Sequence, residues 1–168
     1  MTAKLLRKPT ETPSADPQIS EALLGYLGFL LGKTGQKLRE FQEESLGPLG
    51  ITGKHLGILK ILQEKGSISQ HGIGQCIHID RTTMVDLIDD MEKKGLVERR
   101  EHPTDRRSHA VYMTAKGKEL LPKLHNLAKG AERKFLSSLN QAEQKEFVRL
   151  LKKLVLSHYT KPRSRGSL

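Results

Sequence analysis

Cysteine is nearly absent. Cys76 stands alone among 168 residues, which rules out a disulfide framework and makes a reducing cytoplasm the expected setting. Long hydrophobic runs are missing too. A bilayer-spanning helix needs roughly 18–20 apolar residues in a row, and the best stretch here, Leu23 to Leu31, is interrupted by glycines. Met1 to Pro17 lacks the continuous apolar segment of a secretory signal and reads as a polar arm carrying Pro9, Pro13 and Pro17. No two of the seven histidines fall at i, i+4 on a helix among clustered carboxylates, so no metal site is expected. Nor does any nucleophile, base and orienting group stand at a spacing that compels catalysis, so no catalytic residue, no cofactor and no enzyme is expected. Gly32-Lys33-Thr34 resembles the end of a phosphate-binding loop, but the glycine required at position 27 is Leu27. Cys76 sits near a helix end where the dipole disfavours a thiolate, and no resolving cysteine exists, so it reads as an inert thiol.

What is present is positive charge. Twenty-nine Lys and Arg face nineteen Asp and Glu, a net +10 that attracts polyanions, with nucleic acid ahead of membrane. Apolar residues at helical spacing predict one long helix over Ile19 to Leu46, weakened by Gly25, Gly28, Gly32 and Gly35. Three shorter helices should follow, capped by Thr52, Ser69 and Asp80, the last running from Arg81 to Lys94. After Gly95 the period changes to two, predicting a β-hairpin with strands near Val97 and Ala110 and a basic tip from His102 to His109. Thr114 caps a long helix, and Asn140 with Glu143 opens a final one. The fold class is therefore mainly α with a small β-hairpin, in the order of a winged helix-turn-helix whose last helix enters the major groove and whose hairpin is the wing.

The residues that carry a family resemblance form a linked chain. They are ISQHGIGQCIHIDRTTMVDLIDDMEKKGLVERR, with its Asp-Arg at a helix start and its Lys-Gly-Leu-Val turn, then DRRSHAVYMTAKGKELL, with its Asp-x-Arg and its Met-Thr-x-x-Gly. On these the chain resembles the MarR family from Gly25 to Leu154. The resemblance implies a flexible arm over 1–17 and a domain over 18–158. Within the domain the winged helix-turn-helix covers about 52–113, and long dimerisation helices cover about 18–46 and 115–158. A basic tail follows over 159–168. It also implies a homodimer, with Ile19, Leu23, Phe147, Leu150, Leu151 and Leu154 at the interface, that regulates transcription, as a repressor by analogy. Two reading helices related by a two-fold axis call for a pseudo-palindromic duplex with half-sites about 10 base pairs apart.

Roles follow residue by residue. Arg81, Thr82 and Thr83 open the reading helix, within reach of bases or phosphates, and Ser69 and Gln70 are expected on phosphate. In the wing, Arg107 is expected in the minor groove, held by Asp105, with Arg106 and Arg99 or Arg100 on phosphates. Asp86 departs from the family's frequent basic residue; it either accepts from a cytosine or faces away from DNA, and Asp89 and Asp90 follow it. A small aromatic or acidic effector is implied, with Tyr26, Phe29, Lys33, His55 and Leu59 as candidate lining and Lys33 or His55 supplying positive charge. Two other readings compete: a nonspecific architectural DNA binder driven by charge, and a protein-interaction module using an acidic surface of Asp86, Asp89 and Asp90.

Overall fold

The computed structural model describes residues 19–101 and 109–159. The chain divides into two compact units at Gly35. The expected single helix over Ile19 to Leu46 is broken: α1 spans Glu21–Leu24, and α2 restarts at Leu27 and runs to Leu46. The break falls at Gly25, whose N–H caps Leu23. A glycine costs a helix about 0.5–1 kcal/mol against alanine, and Leu23, Leu24, Tyr26 and Leu27 around it are all exposed. No burial offsets that cost here, so the helix stops and starts again.

The second unit opens with the end of α2 and a 3-10 turn over Gly47–Leu49 that carries Pro48. Helix α3, Gly53–Lys65, begins with a reciprocal cap in which His55 N–H bonds Thr52 Oγ1 at 3.4 Å and Thr52 N–H bonds His55 Nδ1 at 3.1 Å. Next come β1 (Ser67–Ser69), α4 (Gln70–Ile77), α5 (Arg81–Lys93), β2 (Val97–Glu101) and β3 (His109–Met113), then the long α6 (Ala115–Phe135) and α7 (Gln141–Tyr159). The sequence pointed to a two-stranded hairpin. The sheet instead has three antiparallel strands in the order β1-β3-β2, with Ile68 opposite Val111 and Arg99 opposite Val111 on the other side. A three-residue strand has no periodicity to read, and β1 exists only through its pairing with β3.

The core gathers one side of α3, α4, α5, β3 and α6. Leu59 and Leu62 of α3, Ile73 of α4, Ile88 of α5, Val111 of β3 and Leu124 of α6 are essentially inaccessible. Burial of each such side chain contributes about 1.5–3 kcal/mol. Two short devices fix the geometry between α5, the wing and α6. Gly95 turns the chain into β2 with φ +69°, a conformation that glycine adopts without strain. Thr114 Oγ1 donates to Gly95 O at 2.7 Å and accepts from Gly117 N at 3.1 Å. A Cβ at Gly117 would collide with the Leu96 carbonyl and stand 2.8 Å from Met113 Cγ. The Thr-x-x-Gly spacing thus lets the start of α6 lie directly on the turn before the wing.

Candidate nucleic-acid interface

Helix α5 starts sharply. Asp80 Oδ1 accepts from Thr83 N–H at 2.9 Å and its Oδ2 from the Thr83 hydroxyl at 2.7 Å. These bonds, the hydroxyl first, hold the Asp80 carboxyl below its ordinary range. Thr83 thus spends its one hydroxyl proton on the cap. Arg81, Thr82, Val85 and Asp86 lie exposed on the outer face, opposite the buried Met84, Ile88 and Met91. Val85 was missed in the sequence, although its position off the buried stripe marks it; an apolar group on such a face suits a thymine methyl. Preceding α5, Ser69 caps α4 by accepting from Gly72 N–H at 3.1 Å, and His78 ends that helix in the left-handed region. Cys76 is exposed in its last turn.

The three expected acids have different fates. Asp89 Oδ1 lies 2.6 Å from the Arg99 guanidinium. Glu92 takes both the Arg99 backbone N–H, at 2.7 Å, and the guanidinium NH1. Gln70 Oε1 accepts from Arg99 Nε at 3.4 Å and NH2 at 3.2 Å. Arg99, expected on phosphate as an alternative to Arg100, is thus bonded to Gln70 and to α5 through its guanidinium, while Gln70 uses only its amide oxygen in this contact. Asp90 pairs with Lys94, which lowers its pKa. Asp86 alone of the three has no polar contact among the described residues, so a joint acidic surface does not form. Arg100 is exposed, pairs with Glu98 and lies 5.0 Å above the Tyr112 ring. Asp105, Arg106 and Arg107 lie outside the described residues.

The effector candidates separate. In the first unit Tyr26 and Lys33 are exposed and Phe29 is half-buried. In the second, Leu59 is wholly buried in the core and is corrected from lining to packing. His55 is 4% exposed, its Nδ1 is used by the α3 cap, and its Nε2 lies 3.2 Å from Asp90 Oδ2, off the line of a good hydrogen bond. Burial pushes its pKa down, against Asp90 and with Lys94, so a neutral His55 supplies no charge to a ligand. Of the expected interface residues, Ile19 and Leu23 are exposed on the first unit. On α7, which buries no residue, Leu150 and Leu154 are exposed and Phe147 and Leu151 half-buried. Val148, Val155 and Leu156 extend that apolar face. Among the described residues no helix is long and apolar enough to cross a membrane.

Comparison with known proteins bears on the same region. Residues 51–109, from just before α3 to the first residue of β3, match the sequence profile of the MarR family. The "Putative transcriptional regulatory protein for hcr operon" of Thauera aromatica is 29% identical over 149 residues, covering 88% of this chain and 89% of its own. An HTH-type transcriptional repressor of Mycobacterium tuberculosis is 28% identical over 128 residues, covering 76% and 92%. A point mutant of Escherichia coli MarR, solved in complex with operator DNA, superposes with a TM-score of 0.70 at 26% identity, over 77% of this chain and 93% of that one. Residues 51–109 thus carry the MarR-family match, and the helix, turn, helix, three-stranded sheet and Thr-x-x-Gly junction of this chain stand on a fold that it shares with MarR-family transcriptional regulators.

Proposed function

We propose that the protein binds a pseudo-palindromic operator as a homodimer, acts there as a repressor, and is released by a small aromatic or acidic effector. The observation that carries the DNA reading is the outer face of α5. Arg81, Thr82, Val85 and Asp86 are exposed together at the start of a helix whose cap and buried face are fixed, the arrangement a major groove requires. The net charge of +10 supplies the nonspecific attraction, and the E. coli relative with its operator gives the same fold a DNA partner. Arg107, held by Asp105 beside Arg106, is assigned to the minor groove by the resemblance, and Arg100 to phosphate.

Dimerisation is supported by two apolar surfaces, Ile19 and Leu23 on the first unit and Leu150, Leu151 and Leu154 on α7. Such exposure on helices signals a binding surface. Repression is supported by the mycobacterial relative's description as a repressor. For the effector, Tyr26, Phe29 and Lys33 remain the candidate residues. The cytoplasmic setting agrees with the solitary Cys76. The protein-interaction reading loses its motive once Asp89 and Asp90 are internally paired.

Selection of bound duplexes from a random pool tests the proposal. An inverted repeat with half-sites about one helical turn apart is the expected product. Equal retention of all sequences at fixed salt would instead favour architectural binding, and no retention at low salt would refute DNA binding.

A further inference from the structure

We propose that Arg99 is a positioning residue: held by Gln70 of α4 and by Asp89 and Glu92 of α5, it locks the wing strand to the reading helix without itself touching DNA. The proposal rests on the DNA reading above. Its grounds are the contacts of one side chain. Arg99 lies on β2, an edge strand of the sheet, and its backbone N–H points outward to Glu92 Oε1 at 2.7 Å. The same carboxylate holds guanidinium NH1, Asp89 sits 2.6 Å from NH2, and Gln70 accepts from Nε and NH2. One planar group with donors on several edges thereby joins the wing strand and both helices of the helix-turn-helix, a task that a lysine's single ammonium cannot reproduce.

Attraction for DNA gives these acids no reason to be here. Two carboxylates on the reading helix repel phosphate. At about 10 Å and physiological salt their removal would tighten DNA binding about two-fold. Their placement is explained if the geometry they impose outweighs that repulsion. The base of the wing is then fixed relative to α5, and an arginine further along the hairpin reaches its groove while Arg81 is in its own. The two contacts act as one rigid footprint, and rigid presentation lowers the ordering cost of binding.

The sign of one variant decides. In Asp89→Ala/Glu92→Ala two negative charges leave the interface, so simple charge predicts tighter binding and the clamp predicts weaker. The expected result is a loss of about ten-fold on the selected operator with little or no loss on unrelated duplex, measured by fluorescence anisotropy across salt. Arg99→Gln should show the same loss while its log-affinity against log-salt slope stays within about 0.3 of wild type, and Arg99→Lys should recover only part. Equal or tighter operator binding by the acid variant overturns the clamp. So does a slope reduced by about 0.9 in Arg99→Gln, the mark of a lost phosphate contact. Should the double variant be poorly folded by circular dichroism, Asp89→Asn carries the same sign test with one charge. Wild-type protein that binds no duplex at low salt overturns the DNA reading itself, and the clamp's role falls with it.

Discussion

Gly117→Ala should destabilise the protein, although alanine in place of a helical glycine ordinarily does the reverse. The site is in the first turn of α6, and the helix propensity gained there is at most about 1 kcal/mol. Against it stands the collision of the new methyl with the Leu96 carbonyl and its 2.8 Å approach to Met113 Cγ. Overpacking of this kind costs about 1–3 kcal/mol. The carbonyl cannot withdraw freely, because it accepts from Thr114 N–H at 3.1 Å, and losing that bond costs about a further 1 kcal/mol. The net is a loss of about 2 kcal/mol, or about 4–8 °C in melting temperature for a chain of this length. Gly57→Ala is the matched comparison. It lies inside α3, nothing stands within 4 Å of its added Cβ, and it should gain about 0.5–1 kcal/mol. Calorimetry of both at one protein concentration separates propensity from packing. A Gly117→Ala protein that melts at or above wild type would refute the close approach of α6 to the Gly95-Leu96 turn.

Other tests address the site, the interface and pH. Arg107→Ala should weaken operator binding by about 1–3 kcal/mol without shifting the melting temperature; unchanged affinity in a filter assay removes it from the groove. Leu151→Asp puts a charge into the apolar face of α7 and should yield monomers or unfolded chains in sedimentation, whereas a normal dimer would relocate the interface. His55 is held below its ordinary 6.5 by burial, with Asp90 opposing and Lys94 adding. The unfolded chain therefore takes up a proton below about pH 6.5 that the folded one refuses. Stability is full above that value and falls as pH drops beneath it, by at most about 1.4 kcal/mol per pH unit. His55→Gln keeps the capping geometry and should flatten that part of a denaturation-versus-pH curve.

Caps and periodicity made most of the fold legible. Thr52, Ser69, Asp80, Thr114 and Asn140 each cap the helix expected of them, because capping depends on residues three apart in sequence. What the sequence concealed was long-range. Strand β1 exists through Val111, and the break at Gly25 depends on how little its neighbours bury. The fate of Arg99 was invisible as well: a basic residue in a basic wing looks free until Asp89, Glu92 and Gln70 are seen around it. His55 misled for the same reason, since its neutrality comes from burial and from a cap that uses Nδ1.

Helix α7 has 19 residues and buries none of them against its own chain. In proteins most helical stability comes from packing of an amphipathic face rather than from propensity, so the proposed dimer supplies much of its order. Folding and pairing then become one event governed by mass action, and operator occupancy climbs with roughly the square of the amount of protein while copies are scarce. While copies stay scarce, a cell carrying half the dose would then hold about a quarter of the operator occupancy.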